Sequence, residues 1–155
     1  MDTRTTDEIC SKIKNEWSFQ FLNQEDAAVL VNYLDCRQVP AGEMLWHEGD
    51  SCGELAFIVT GRLEIGKETE FEGKNVIVGV YGAGSFVGEL CILKASPRIV
   101  TAVALTDCEL LTLSVDKFNE LTDKHPELGV RLLKGMLATV STRLSKAFGR
   151  LASIF

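Results

Sequence analysis

Apolar positions follow three regimes along the chain. Between residues 6 and 35 they recur at helical spacing. Asp7-Glu8-Ile9 opens one amphipathic segment. Asn23 has the side chain of a helix N-cap, with Asp26 three positions on and Ala28, Leu30, Val31 and Leu34 following. Pro40-Ala41-Gly42 closes the region. Trp17, Phe19 and Phe21 read as anchors of these helices on a core.

From about 37 to 115 short apolar runs replace the helical period: Met44–Trp46, Leu55–Val59, Leu63–Ile65, Val76–Tyr81, Ile99–Val103 and Leu110–Leu113. Glu48-Gly49-Asp50, Thr60-Gly61, Glu72-Gly73-Lys74, Gly82-Ala83-Gly84 and Thr106-Asp107 separate them as turns. Short strands near ten-residue spacing, with no long helix between them, predict a sandwich, jelly roll or barrel rather than a parallel α/β sheet. Trp46 and Phe57 read as core, His47 as a surface or rim residue and His125 as a turn residue.

At Ser114, another N-cap, the helical period returns. A short helix is predicted to Lys124, and Pro126 starts a long one from about Glu127 to Ser153. Leu133, Leu137, Val140, Leu144, Ala147, Leu151 and Ile154 step by four and three. That is a heptad seam, long enough for a dimer contact. The same stripe packed on its own β domain is the other reading. Gly135 and Gly149 lower the intrinsic helix propensity.

Composition narrows the class. The chain has 155 residues, 46% of them apolar and 25% charged. That suits one globular domain with a real core. The uncharged run around Val76–Val87 is far short of the ~20 residues a membrane helix needs. The polar start, MDTRTTDEIC, carries no apolar signal segment, so a cytoplasmic protein without a membrane span is expected. Net charge is −6, yet residues 128–155 carry five cations and no acid. The acidic balance argues against nucleic acid. The basic last helix reads as a solvated face, a dock for an acidic partner or a contact with an anionic membrane. Five scattered cysteines (10, 36, 52, 91 and 108) lack metal or disulfide spacing and read as reduced, small hydrophobes. With only two histidines, no metal site is expected, and no nucleophile–base pair marks an enzyme.

The stretch carrying chemistry is Gly84-Ser85-Phe86-Val87-Gly88-Glu89-Leu90-Cys91-Ile92-Leu93-Lys94-Ala95-Ser96-Pro97-Arg98. A strand ends near Val87, a glycine allows close backbone approach, a short turn starts at Glu89, and an arginine opens the next strand. Free N–H groups at the turn and the Arg98 fork suit phosphate oxygens. Glu89 can only accept hydrogen bonds when ionised, which suits a ribose hydroxyl. Together they suggest a sugar phosphate or a nucleotide of low charge. An ion pair between Glu89 and Arg98 is the structural alternative. No phosphate-binding P-loop is present, and Gly82, Gly84 and Gly88 have the wrong spacing for a dinucleotide fingerprint.

This segment resembles the phosphate-binding cassette of the cyclic nucleotide-binding domain family, whose members include the regulatory subunits of cyclic AMP-dependent kinase, cyclic nucleotide-gated channels and catabolite-activator regulators. The resemblance rests on Gly88-Glu89-Leu90, on Pro97-Arg98 and on the nine-residue step from acid to arginine. Ala41-Gly42-Glu43, Glu48-Gly49-Asp50, Phe57-Ile58-Val59-Thr60-Gly61, Thr101 and Ala104 extend it over roughly residues 20–145.

The resemblance implies a mainly β fold with flanking helices: an eight-stranded β jelly roll (double-stranded β-helix), N-terminal helices over 1–36, the roll over 37–115 and C-terminal helices over 116–155. It implies that Glu89 binds the ribose 2′-hydroxyl, Arg98 the cyclic phosphate, and N–H groups of Cys91 and Ile99 the rest of the phosphate. Gly88, Leu90 and Pro97 would shape the cassette. The base would be capped from the last helix, with Arg143 and Leu144 as candidates and Thr139 and Thr142 nearby. Arg143 would stack on the purine or remain a solvated helix charge. Family members often carry Ala, Ser or Thr after the arginine, and a hydroxyl there helps some favour cyclic GMP. Ile99 lacks one, which leans to cyclic AMP. Ala95 stands where a glycine is frequent.

The expectation is therefore a regulatory sensor with cyclic AMP as ligand and no required cofactor. It would be a homodimer through its last helix and would signal to an effector protein the sequence does not name. A helix-turn-helix domain follows this helix in catabolite activators, whereas this sequence ends at Phe155, so direct DNA binding is not expected. The alternatives are an assembly module with an unused pocket, or a sensor of another small effector.

Overall fold

The computed structural model describes residues 5–155. Met1–Arg4, the first residues of the 1–36 assignment, lie outside it. Helices α1 (Thr6–Glu16) and α2 (Gln24–Leu30) lead through a 3-10 turn at Val31–Tyr33 into eight strands. These are β1 (Asp35–Val39), β2 (Met44–Trp46), β3 (Glu54–Thr60), β4 (Leu63–Glu68), β5 (Asn75–Tyr81), β6 (Phe86–Val87), β7 (Thr101–Ala104) and β8 (Cys108–Ser114). A 3-10 turn at Glu89–Ile92 separates β6 from β7, and α3 (Val115–Lys124) and α4 (Pro126–Ala152) close the chain. The strands form two four-stranded antiparallel sheets, ordered β1-β8-β3-β6 and β2-β7-β4-β5, which is the expected jelly roll with flanking helices.

β3 shows why its sequence is a continuous apolar run. Leu55, Phe57 and Val59 face a helix-covered core with Ile13, Trp17, Phe19, Leu121 and Leu132. Ala56 and Ile58 face a second core between the sheets, with Leu63, Ile65, Val87 and Ala102. A strand buried on both faces loses its polar alternation. β1 was not legible as a strand: Asp-Cys-Arg-Gln-Val holds no apolar run, and its place at the sheet edge comes from register with β8 (Cys36 opposite Leu111, Val39 opposite Cys108).

The caps are where the sequence places them. Asn23 accepts from the Asp26 N–H at 2.7 Å, and Ser114 from that of Lys117 at 3.2 Å. Gly135 lies against Phe21, where an added Cβ would meet the Phe21 Cβ at 2.5 Å. The lost helix propensity at that position buys close packing of α4. The seam on α4 divides rather than forming one face: Leu133 and Val140 pack half-buried against the helix-covered core, while Leu137, Leu144, Leu151 and Ile154 are exposed. The residues that α4 buries in that core, Leu128, Leu132 and Met136, lie outside the seam.

The cysteine expectation needs correction. Cys10 and Cys36 form one disulfide and Cys52 and Cys91 another, while Cys108 is free and buried. Separations of 26 and 39 residues hid both pairs, because folding rather than spacing brings their Cα atoms to 5.5 and 5.2 Å.

Asp26 and Arg131 tie α2 to α4 through two hydrogen bonds of 2.6 and 2.8 Å. The Arg131 guanidinium holds the buried Asp26 carboxyl below its usual 3.8, against the effect of burial. The ionised form is thus favoured in the folded state. Its stabilisation is complete above 3.8 and is lost as pH falls through the lowered folded value. Asp26→Asn should lower the melting temperature at neutral pH. The gap to wild type should stay constant above about pH 5 and close below it. Thermal unfolding across pH reads this out, and a pH-independent gap would contradict it.

Candidate functional site

A cavity of about 330 Å³ lies between the second sheet, the Glu89–Ile92 turn and the last turns of α4. All eight residues singled out in the sequence line it: Gly88, Glu89, Leu90, Cys91, Pro97, Arg98, Ile99 and Arg143. Leu144 also lines it, whereas Thr139 and Thr142 lie on a neighbouring surface groove.

Arg98 is the centre of the charged end of the cavity. It is 7% exposed. Its guanidinium lies 3.5 Å from the centroid of the Trp46 ring, and Nη1 is 2.9 Å from the Cys91 sulfur. Among the described residues it has no ion-pair partner within 4.0 Å. Nε is buried without a hydrogen-bond partner, as is the Trp46 Nε1. Burial pulls the Arg98 pKa below its ordinary value, with the Glu54 charge acting in the opposite sense. Backbone bonds fix the residue at both ends: its N–H donates to the Asp50 carbonyl and its carbonyl accepts from the Gly49 N–H, each at 2.8 Å.

Gly88 makes room for this group. It adopts a left-handed φ of +82°, and a Cβ there would stand 2.6 Å from Arg98 Nη1 and 3.0 Å from the Trp46 ring. The Cys91 N–H, expected on the phosphate, instead closes the turn onto the Gly88 carbonyl at 3.2 Å. The N–H groups of Glu89 and Leu90 precede that bond and open the turn.

Glu89 does not pair with Arg98. Its carboxylate faces Arg143 at 4.0 Å, so the ion-pair alternative does not hold. Arg143 is not a solvated helix charge either. Nη2 donates to Ser85 Oγ at 2.7 Å and to the Phe86 carbonyl at 2.6 Å, and the guanidinium lies 4.0 Å from the Tyr81 ring centroid. Burial lowers its pKa, with Tyr81 and Glu89 opposing. Arg143 therefore latches α4 onto the β5–β6 connection. Ile99 is 56% exposed at the rim.

Sequence reasoning missed Trp46, Cys52, Tyr81 and Arg150 as lining residues. Trp46 looked like core and is buried, yet its ring face carries Arg98. The apolar wall of Ile65, Val78, Val100, Val140, Leu144 and Ala147 opposes the charged end. The cavity offers a buried cation, a nearby acceptor and a flat apolar slot, the complement of an anion joined to a hydroxylated, apolar-faced ring. No group of three metal-ligating side chains occurs among the described residues.

The sequence model of the cyclic nucleotide-binding domain matches residues 36–125. Lysophospholipase nte1 of Aspergillus oryzae is 36% identical over 101 residues, 65% of this chain. The chain spans only 6% of that protein's length. Among solved structures, a cyclic nucleotide-binding domain from Methylobacillus flagellatus KT is 25% identical with a TM-score of 0.81, covering 96% of this chain and 83% of its own. The catabolite activator protein of Thermus thermophilus is 25% identical with a TM-score of 0.73, over 86% and 60% of the two chains. PfPKA-R (141–441) bound to cAMP is 30% identical with a TM-score of 0.60, over 76% and 43%.

Gly88→Ala should destabilise the fold by about 1–3 kcal/mol, from the left-handed backbone and the displaced guanidinium. Urea unfolding of variant and wild type measures this. A difference near zero would contradict both the left-handed backbone at Gly88 and the guanidinium placed against it.

Proposed function

The chain belongs to the cyclic nucleotide-binding domain family, and on that premise we propose that its cavity binds one molecule of cyclic AMP and that α4 reports its occupancy to a partner. The observation that carries this reading is Arg98, a buried guanidinium with no acidic partner among the described residues and with an open cavity beside it. A cyclic phosphate brings one negative charge and two free oxygens, which a guanidinium fork can bind in bidentate fashion. The Glu89 and Leu90 N–H groups complete the cradle, and the Glu89 carboxylate accepts from the ribose 2′-hydroxyl. The base lies on the apolar wall with Leu144 and Ala147 above it. Ile99 offers no hydroxyl to a guanine, which favours adenine.

The chemistry is binding rather than turnover, and the chain is a regulatory module rather than an enzyme. α4 is both a wall of the cavity and the carrier of Arg143. A ligand that binds better with α4 in one position shifts the helix toward that position by its differential affinity. The exposed apolar residues Leu137, Leu144, Phe148 and Leu151 follow at steps of seven, four and three. That spacing supports a second copy of the chain as the partner of this face. No helix among the described residues is long and apolar enough to cross a membrane.

Calorimetric titration with cyclic AMP and cyclic GMP should show micromolar or tighter binding, tighter for cyclic AMP. Arg98→Ala should weaken it by about 100-fold or more. No heat from either nucleotide, in folded ligand-free protein, would leave the assembly-module reading. Wild type should prefer cyclic AMP over its 2′-deoxy analogue by about tenfold, a preference lost in Glu89→Ala. Light scattering should report a dimer that Leu137→Glu converts to a monomer; a monomeric wild type would contradict the pairing of α4.

A further inference from the structure

Two halves of the phosphate cradle come from distant parts of the chain. One is Arg98, just before β7. The other is the Glu89–Ile92 turn after β6. Both are attached to the same third segment, residues 47–53 between β2 and β3. Gly49 and Asp50 hold the Arg98 backbone through two 2.8 Å hydrogen bonds. Cys52 holds the turn through its disulfide to Cys91. The segment itself is anchored: the His47 N–H donates to the Asp50 carboxylate and the Glu48 N–H to Thr101 Oγ1, both at 2.9 Å.

The bridge is part of the cavity wall. Cys52 and Cys91 both line it, and the Cys91 sulfur touches the Arg98 guanidinium. Their Cα atoms are 5.2 Å apart, which accommodates a disulfide without backbone movement. Cys91 is 2% exposed while Cys52 is half-buried, so solvent reagents reach the pair through Cys52.

We propose that Cys52–Cys91 is a redox-responsive staple of the nucleotide site: bridged, it presets the cradle and cyclic nucleotide binds more tightly; as two thiols, it leaves the turn untied from the Arg98 segment and affinity falls. The inference rests on the cyclic-nucleotide reading above. Its physical basis is preorganisation. A covalent tie removes ordering that the ligand would otherwise impose on binding. The oxidant is a low-molecular-weight disulfide. The Cys52 thiolate attacks one of its sulfurs and expels the first small thiol. The Cys91 thiolate then attacks the Cys52 sulfur of the mixed disulfide and expels the second. Two protein thiols lose two protons and two electrons, and the small disulfide gains both as two thiols. Coupling is reciprocal, so bound nucleotide must make the bridge harder to reduce by the same factor.

The test uses the full chain equilibrated with glutathione disulfide or with excess reduced dithiothreitol, each then titrated with cyclic AMP. Peptide mapping without reductant verifies the Cys52–Cys91 link. The oxidised protein should bind about tenfold more tightly than the reduced one. Cys52→Ser should bind at the reduced level under both conditions. Cys10→Ser, which lacks the other bridge, should keep the full response. Saturating cyclic AMP should shift the glutathione ratio that half-reduces the bridge by the same factor. Equal affinities in the two states, tighter binding when reduced, or no Cys52–Cys91 link after oxidation would overturn the inference alone. No binding in either state, with the link verified, would overturn the cyclic-nucleotide reading and this inference with it.

Discussion

Arg98 sits below the surface with an aromatic face and a sulfur where a buried cation ordinarily has a carboxylate. Removing a charge from water costs several kcal/mol in a protein interior even after relaxation. Stacking on Trp46 returns roughly 2 kcal/mol at such a desolvated site. The Glu54 and Asp50 charges also favour the cation, and on the reading proposed above a bound anion adds the closest opposite charge. Much of the local architecture serves to hold this charge in place. Gly88 gives up its side chain to admit the guanidinium. Gly49 and Asp50 clamp its backbone, and the disulfide at Cys91 fixes the wall beside it.

The opposite end of the cavity belongs to a different element. α4 is rooted by Leu128, Leu132 and Met136 in the helix-covered core and by Arg131 on Asp26. Beyond Met136 its burial falls, and its hold on the β roll passes to Arg143 and the cavity-lining Val140, Leu144 and Ala147. One end of the helix is therefore built as a fixed root and the other as a latch over the cavity. On the reading proposed above, this division carries a buried binding event out to α4. It also couples the acid that would meet a ribose, Glu89, to the latch through Arg143 at 4.0 Å.

Much of this was legible in the sequence, for identifiable reasons. Strands buried on both faces, such as β3, announce themselves as apolar runs, and the caps at Asn23 and Ser114 depend on local chemistry alone. The cassette from Gly88 to Ile99 is a contiguous stretch, so its residue types and spacing survive in one dimension. What stayed hidden depends on register and on long-range contact. β1 has no pattern of its own and is made a strand by β8. Neither disulfide has a spacing signature. The resemblance marks Arg143 as a base cap or a solvated charge, but only the packed fold places Tyr81, Phe86 and Ser85 around it. The sequence marks Trp46 as buried, but burial does not reveal that its ring face carries Arg98.

The central claim is that the Arg98 guanidinium, which has no ion-pair partner among the described residues, is the anchor for a cyclic phosphate. Nuclear magnetic resonance of the Arg98 side chain, resolved at Nε by comparison with Arg98→Lys, tests it at the atom concerned. Cyclic AMP should shift that signal strongly and adenosine, which lacks the phosphate, should leave it in place. A signal that responds equally to both, or that stays unmoved while cyclic AMP saturates the protein, would show that the phosphate is held elsewhere.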